Sequence, residues 1–379
     1  MKYCKTRHDL ISPTELSGFV FSFSGGALKE NEGERGAFHL LEHILANSIN
    51  DLLPDFSRDG IGWNAYTGDS GVFFTLTGFD DVIDKYSDLY FDRVMNYKIT
   101  KKILEKERNI VIQEYHQCFD SQSDAHFINL FRVYTDYFMP IGNLGDIETV
   151  SLEQINEMRK KWFETPSIVL DISNRNKENR FLSLTAYEGW NCSVVKKIIE
   201  ENKKLNNRHI VQHNEGMSSI MIISDPIDLR EESGLFNYIN SICITMGNSL
   251  HSPFYSIIRE KHGLVYSIGF YFYRVSDTSG YIVFACSSET KNICKIKELF
   301  HEIIHGQYFT EELYLGEVSA IKYQLRRDRI NLYRRAQDYF LMPNELNPLI
   351  DYKVNYKEAS RIYSKYFQNW FVSVDTEDF

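Results

Sequence analysis

The chain has 379 residues, of which 43% are hydrophobic and 25% are charged, so a disordered, collagen-like or low-complexity protein is excluded. At roughly 150 residues per domain, this length predicts two domains. The 42 Lys and Arg against 52 Asp and Glu give a formal net charge of −10, which argues against a protein that binds nucleic acid through its phosphates.

Neither a membrane span nor a secretion signal is predicted. No window approaches the run of about 18 apolar residues that a transmembrane helix needs. Residues 9–13, which follow a basic start, are too polar for the apolar region of a secretion signal. The 6 Cys are scattered and form no Cys-x-x-Cys pair, so we expect reduced thiols and a cytoplasmic protein.

The first part of the chain predicts strands that alternate with helices. Period-2 alternation marks the strands, and apolar residues three to four positions apart mark the helices. The predicted elements are a strand at 18–24, a helix at 37–48, a hairpin region at 60–77, helices at 80–97 and from 101 past 116, and a strand at 167–173.

The second part restarts the same alternation after a polar stretch at 174–180 and a charged helical run at 194–205. We therefore place the domain boundary near 206–212 and predict domains 1–207 and 208–379. The predicted elements here are strands at 218–223, 266–272 and 280–287, and helices at 235–246, 293–304 and 310–330. The shared order of the two halves indicates a duplicated unit.

The segment His39-Leu40-Leu41-Glu42-His43 carries the strongest chemical signal. On a helix, residues four apart share one face, so both imidazoles can bind the same ion. Two His and one carboxylate leave a fourth tetrahedral position for water, from which Glu42 can take a proton. The competing interpretation is a surface helix with solvated side chains, but a chance match to this pattern is expected only about 2 times in 100.

A third ligand must come from another segment. Glu107 and Glu114 lie seven residues apart on the helix that starts near 101, and therefore share one face of it. Spacing alone leaves both carboxylates open as ligands, and it also leaves open that both are simply solvated. The metal is equally open, since such sites accept zinc, cobalt or manganese.

His39–His43, followed about seventy residues later by Glu107–Glu114, resembles the pitrilysin/insulysin family of inverted-motif zinc peptidases, which includes the mitochondrial processing peptidases. Three further segments fit the family in its own order along most of the chain: 25–32 before the motif helix, 62–67, and 259–267 with its Arg…Gly-Leu-x-Tyr-Ser pattern. The spacing from His43 to Glu114 is a few residues shorter than the family pattern. We expect the shortening to lie in the loops and helix between 60 and 100.

The resemblance implies a role for each matched residue. His39, His43 and Glu114 would bind one Zn²⁺ per chain, Glu42 would be the general base, and Glu107 would orient a ligating His. Arg259 and Tyr266 would meet the substrate opposite the metal and stabilise the tetrahedral oxyanion. An extended peptide would add to the strand edge at Asn64, Ala65 and Thr67.

The resemblance also implies the fold and the activity. The fold is α+β, with two similar domains that each hold a mostly antiparallel sheet with helices on one face. The activity is that of a zinc metalloendopeptidase, a hydrolase of short or unfolded peptides such as leader or precursor peptides. Because the chain amounts to one half of the large family members, a homodimer or a heterodimer with a related chain is expected to enclose the peptide. The alternative is a non-catalytic peptide-binding or scaffold subunit of a heteromeric complex, against which the intact motif argues.

Overall fold

The structure is a computed structural model that describes residues 16–68, 71–120, 140–164, 166–172, 216–232, 234–247, 249–274, 279–328 and 354–374. These residues form two compact units, one built mainly from the first half of the chain and the other mainly from the second half. The predicted boundary at 207/208, the polar stretch 174–180 and the helical run 194–205 lie outside the described residues. The domain limits therefore stay a prediction.

The first unit combines one antiparallel sheet with helices. Its strands are β1 (Leu16–Phe23), β2 (Gly62–Thr67), β3 (Val72–Phe79) and β4 (Ile168–Ile172). Its helices are α1 (Ala37–Ala46), α2 (Leu53–Asp59), α3 (Asp80–Asn96), α4 (Lys101–Asp120), α5 (Leu144–Thr149) and α6 (Leu152–Trp162).

The sheet of the first unit has the strand order β2-β3-β1-β4, and all three pairings are antiparallel. Helix α3 packs on β1 and β3, and α1 packs on β2. Buried aromatic rings fill the layer between them: Phe21 stacks on Phe74 at 5.2 Å and meets Tyr90 edge-on at 5.4 Å. Strand β2 has only β3 as a partner among the described residues, so it forms an edge of this sheet.

The second unit repeats the combination. Its strands are β5 (Met217–Ser224), β6 (Ile227–Asp228), β7 (Gly269–Arg274), β8 (Ser279–Glu289) and β9 (Trp370–Val374), all paired antiparallel around β5 and β8. Its helices are α7 (Leu235–Gly247), a π-helix (Tyr255–Lys261), α8 (Ile293–His305), α9 (Glu311–Asp328) and α10 (Tyr356–Tyr366). Phe254, Phe270, Phe284 and Phe300 form the centre of one buried core.

The α+β architecture with antiparallel sheets is confirmed, and the predicted elements that fall on described residues form close to their expected limits. The prediction that Tyr266 lies in a strand is wrong, since β7 begins only at Gly269. Helices α2, α5, α6 and α10, the π-helix, and strands β6 and β9 were not predicted from the sequence. Within the described part of the chain, no helix is long and apolar enough to cross a membrane.

Two glycines allow the chain to cross itself at the start of α1. Gly36 (φ 96°) and Gly142 (φ 76°) face each other, and a Cβ on Gly142 would overlap the Cα of Gly36 and the carbonyl oxygen of Arg35. Both residues also adopt the left-handed backbone conformation that side chains disfavour. A side chain is therefore excluded at this crossing on two grounds.

Gly142→Ala is expected to lower the free energy of unfolding by about 3 kcal/mol or more, because backbone overlap adds to the conformational cost. Gly33→Ala is the matched control: Gly33 also has a positive φ (82°), but a Cβ there would meet no heavy atom of the described residues within 4 Å. This control should lose about 1 kcal/mol. Urea unfolding of both variants measures the difference, and equal losses would contradict the proposed overlap.

Candidate metal centre

His39 and His43 lie one turn apart on α1, as the motif predicted. Their rings are perpendicular (88°) with centroids 4.7 Å apart, and the two Nε2 atoms are 3.2 Å from each other. The helix is buried on nearly all sides, with only His43 and Ala46 partly accessible. The two imidazoles are thus fixed on one face by a helix that packing holds in place.

Glu114 on α4 supplies a third donor to the same point. Its Oε2 lies 3.3 Å from Nε2 of His43 and 3.6 Å from Nε2 of His39. A tetrahedral zinc ion with ligands at about 2.0–2.1 Å places its donor atoms about 3.4 Å apart. The triangle of 3.2, 3.3 and 3.6 Å matches one face of such a tetrahedron, so the residues fit the ion.

Glu107 takes a different position from Glu114. Its Oε2 faces the other ring nitrogen of His43, Nδ1, at 3.7 Å, and its Oε1 is paired with Nζ of Lys106 at 2.9 Å. The side chain is 5% exposed. A carboxylate on the Nδ1 side favours the orientation in which Nε2 points at the ion. The two carboxylates that spacing could not distinguish are therefore distinguished by geometry.

Glu42 is buried beside the two imidazoles. The ligand atoms of His39, Glu42 and His43 all lie within 4.8 Å of one another. Its Oε2 accepts a hydrogen bond from the Thr67 hydroxyl at 3.1 Å. Burial raises the pKa of Glu42 to about 7, while the charge of His43 and the Thr67 hydrogen bond oppose this rise. A carboxyl group with a pKa near 7 is well placed to accept and return a proton at neutral pH.

The three donor residues differ in how strongly they hold a proton. Burial, helped by the nearby charge of His43, lowers the pKa of His39, so this imidazole is neutral. Burial also opposes the charge of His43, but the hydrogen bond and charge of Glu114 outweigh it and raise the pKa of His43. The same hydrogen bond lowers the pKa of Glu114 and keeps it ionised. A cation at the triangle would have to displace the proton that the raised pKa favours on His43.

The buried carboxyl group of Glu30 binds the start of α1. It accepts hydrogen bonds from the backbone N–H groups of Gly36 and Phe38, both at 2.8 Å. These N–H groups have no acceptor within the helix, so the two oxygens of Glu30 satisfy them. Burial raises the pKa of Glu30 to about 8 against these two hydrogen bonds. Glu30 therefore fixes the first turn of the helix that carries both His residues.

The segment around α5 connects α1 to α4. On the α1 side, Asp146 accepts a hydrogen bond from the Arg35 backbone N–H at 3.0 Å, and the Asn143 N–H donates to the Arg35 carbonyl at 3.1 Å. On the α4 side, the buried guanidinium of Arg108 donates to the carbonyls of Ile147 (3.0 Å) and Val150. Both helices that bear candidate ligands are thus held by one short segment.

A cavity of about 360 Å³ lies next to the candidate ligands. It is lined by the end of α1 and the turn that follows it, by strand β2 and by helix α4. Its lining residues are Glu42, His43, Ala46, Asn47, Asn50, Trp63, Asn64, Ala65, Lys106, Glu107 and Ile110. The cavity joins the edge strand β2 to the metal-ligand triangle within the first unit.

The three residues predicted to meet the peptide all lie on β2 but differ in exposure. Asn64 is exposed and Ala65 is half-buried, as an accessible strand edge requires. Thr67 is 5% exposed, and its hydroxyl is directed to Glu42. The side chain of Thr67 therefore contacts the predicted base, a contact that spacing alone could not reveal.

Arg259 and Tyr266 lie together in the second unit. The Arg259 guanidinium stacks on the Tyr266 ring at 5.3 Å and on the Tyr255 ring at 4.6 Å. Tyr266 is 85% exposed. The segment before it is held by Ser288, whose hydroxyl donates to the Leu264 carbonyl. Arg259 and Tyr266 thus form a cation–aromatic pair at the surface of the second unit. Tyr255 is a third partner of this pair, and it was not predicted from the sequence.

Three contributing residues, Glu30, Arg108 and Tyr255, were not found from the sequence, nor was the contact between Thr67 and Glu42. Glu30 lies six residues before Gly36, outside the usual helix-capping positions. A detectable signal existed only for Tyr255, which is spaced four residues from Arg259 on one helical segment.

Comparisons with known proteins place these features in a family. Residues 11–134 match the family model described as "Insulinase (Peptidase family M16)", and residues 149–307 match "Peptidase M16 inactive domain". The described part of the first match contains the candidate metal centre, and the second covers the segment with Arg259 and Tyr266.

Individual relatives agree. An uncharacterized zinc protease of Rickettsia bellii is 25% identical over 323 residues, covering 79% of this chain and 74% of the relative. Mitochondrial-processing peptidase subunit beta of Caenorhabditis elegans is 24% identical over 140 residues, 35% of this chain and 31% of that protein. The crystal structure of a protease from Helicobacter pylori has a TM-score of 0.73 at 16% identity and covers 96% of this chain and 95% of that one, which shows a shared fold. Together with the His39–His43 motif, these matches establish that the chain belongs to the insulinase (M16, pitrilysin-type) peptidase family.

Proposed function

We propose that the protein is a zinc-dependent endopeptidase that hydrolyses short or unfolded peptides, including leader or precursor peptides. His39, His43 and Glu114 would hold one Zn²⁺ per chain. The observation that carries the proposal is the triangle of donor atoms with edges of 3.2, 3.3 and 3.6 Å, with the Glu42 carboxylate beside it. The names of zinc protease relatives support zinc as the metal.

A bound zinc ion would supply a Lewis acid that polarises the peptide carbonyl and activates water for attack. Glu42 would accept the proton of that water and deliver it to the leaving amine. Its raised pKa of about 7 suits both transfers, since the group exchanges a proton readily at neutral pH. Glu107 would hold His43 in its ligating orientation through Nδ1.

The edge strand β2 would bind the peptide as an additional strand. Main-chain hydrogen bonds in such pairing require an extended peptide but make little demand on its sequence. The exposed Asn64 and half-buried Ala65 lie on this edge, next to the 360 Å³ cavity. A substrate side chain beside the cleaved bond would enter that cavity.

The active form would be a dimer. The metal-ligand triangle lies in the first unit of the chain and Arg259 and Tyr266 lie in the second, so two chains could each contribute one part of a shared site. A homodimer and a heterodimer with a related chain both satisfy this arrangement. The relative named as a processing-peptidase subunit supports multi-subunit assembly. We retain the cytoplasm as the expected location, on the sequence argument that the 6 Cys are scattered without a Cys-x-x-Cys pair in a chain long enough to fold without disulfides.

Digestion of a mixed pool of unstructured peptides, followed by mass spectrometry, tests the activity. The zinc-loaded protein is expected to cleave internal peptide bonds, and the chelated protein is expected to cleave none. Zinc-loaded protein that binds peptides without cleaving them would favour the alternative function, a non-catalytic peptide-binding or scaffold subunit.

Subunit mixing tests the shared site. Arg259→Ala and Glu42→Gln homodimers should each retain only a small fraction of the wild-type kcat/KM, and subunit exchange between them should restore one intact site in mixed dimers. About a quarter of the wild-type rate is expected from a 1:1 mixture, since half of the dimers are mixed and each has one complete site. If activity fails to return although exchange is verified by mass spectrometry, each site is complete within one chain or requires a different partner.

Thr67→Val should move the acid limb of the kcat/KM profile to higher pH. The Thr67 hydrogen bond lowers the pKa of Glu42, so its loss leaves the carboxylate harder to form. Glu42 acts as a base only when ionised, and activity therefore falls at a higher pH in the variant. Thr67→Ser, which keeps the hydroxyl, should retain the wild-type profile. If all three proteins have the same pH profile, Thr67 does not affect the pKa of the group that limits activity at acid pH.

A further inference from the structure

The guanidinium of Arg259 is enclosed by two tyrosine rings. Its central carbon lies 4.6 Å from the centroid of Tyr255 and 5.3 Å from the centroid of Tyr266. Both distances are within the range of about 6 Å in which a cation over an aromatic face is attracted to it. In addition, Nη1 of Arg259 donates a hydrogen bond to the phenol oxygen of Tyr255. Tyr255 is thus the partner that contacts this guanidinium in two ways.

The local helix geometry places Tyr255 over Arg259. Residues 255–261 form a π-helix, and the His262 N–H donates to the Ile257 carbonyl five residues earlier at 3.1 Å. A π-helix has more residues per turn than an α-helix, so residues four apart lie nearly in line along its surface. Such wide turns often mark functional sites. The backbone itself therefore stacks the phenol on the guanidinium.

The remaining contacts of Arg259 hold it less firmly. Its Nε faces the Glu260 carboxylate at 3.6 Å, and that carboxylate is 59% exposed. Tyr266 is itself 85% exposed and cannot fix a neighbour by packing. Tyr255 is half-buried, so its ring is the better anchored of the two. An arginine side chain has several rotatable bonds, and an anchored partner removes the entropy cost of ordering them when a ligand binds.

We propose that Tyr255 is a positioning residue that fixes the Arg259 guanidinium for the peptide carbonyl. This inference rests on the proposed function, because it assigns Arg259 to the peptide. The phenol oxygen of Tyr255 accepts one N–H of the Arg259 guanidinium, and the Tyr255 ring covers one of its faces. The remaining N–H groups of Arg259 are therefore directed in a single orientation. Tyr255 acts through Arg259 and does not itself touch the peptide.

A double-mutant cycle on kcat/KM separates positioning from a structural role. Tyr255→Phe keeps the ring and should lower kcat/KM about 5-fold, whereas Tyr255→Leu loses both contacts and should lower it about 20-fold. In an Arg259→Ala background, the same Tyr255 changes should alter kcat/KM less than about 2-fold. If the fold-loss of kcat/KM in the double variant equals the product of the losses in the two single variants, the proposal is overturned. Tyr308→Phe is the control, since Tyr308 is also half-buried and donates to one carboxylate, Glu302, at 3.3 Å.

A second measurement does not depend on activity. The NMR order parameter of the Arg259 Nε–H bond, assigned by its loss in Arg259→Lys, reports the order of the side chain directly. We expect a rigid value in the wild type and a value below about 0.6 in Tyr255→Leu. An unchanged order parameter contradicts positioning by Tyr255. A wild type that cleaves no peptide rejects the proposed function instead, and the order parameters then decide the role of Tyr255 alone.

Discussion

Glu42→Gln is expected to lower kcat about 10³-fold while the protein keeps its zinc, because the amide cannot accept a proton. The Gln side chain preserves the size of Glu42 and can still accept the Thr67 hydrogen bond through its amide oxygen. The fold and the metal-ligand triangle should therefore persist. Peptide hydrolysis and zinc content, measured on the same preparation, check both parts of this prediction.

Glu148→Gln is the matched control, since Glu148 is an exposed glutamate on α5 of the same unit. It should retain full activity and full zinc content. Two results would count against Glu42 as the base. Hydrolysis at the wild-type rate in Glu42→Gln would remove it from the chemistry, and a loss of zinc would identify it as a ligand.

Glu114→Gln is expected to lose most of its zinc together with its activity. Glu114 contributes the ionised oxygen that lies 3.3 and 3.6 Å from the two His Nε2 atoms, and an amide oxygen is a much weaker zinc ligand. Glu107→Gln is the comparison, because Glu107 faces only the Nδ1 side of His43. Its zinc affinity should fall about 10–100-fold, a smaller loss.

Zinc bound per chain after dialysis against a competing chelator of known affinity ranks the two variants. The expected order of affinity is wild type, then Glu107→Gln, then Glu114→Gln. The reverse order for the two variants would make Glu107 the third ligand. Equal and complete zinc retention in both would place the ion elsewhere.

The sequence predicted the fold well where patterns are local. The helical periodicities of α3 and α4 reflect burial of one stripe, which each segment encodes by itself. Strand β1 also forms as its alternation predicted, although both of its faces are buried. The missed helix α6 also had a local signal: Ser151 and Gln154 form a capping box at its start. Tyr266 was assigned to the strand because aromatic residues are common in strands, so composition does not distinguish an aromatic residue just before a strand from one within it.

The candidate site was predictable as far as its motif reaches. His39, Glu42 and His43 follow from spacing on one helix, but a choice between Glu107 and Glu114 requires the position of α4 relative to α1. Both carboxylates share a face of α4, and only the three-dimensional placement directs one to Nε2 and the other to Nδ1. Arg108 binds a carbonyl 39 residues away, which no local pattern encodes. Glu30 binds N–H groups six and eight residues later, a spacing outside the usual helix-capping pattern.

The α5 segment has a kinetic consequence for the metal. Hydrogen bonds from one short piece of chain hold both Arg35, just before α1, and Arg108, on α4. Local opening of that piece would remove, in a single event, the hydrogen bonds that connect it to both ligand-bearing helices. The slowest step of zinc release should then be this opening, so release and amide hydrogen exchange in residues 144–149 would share one rate. A bound ion would in turn slow exchange there, and the retention time of the metal would be set by a helix that contributes no ligand to it.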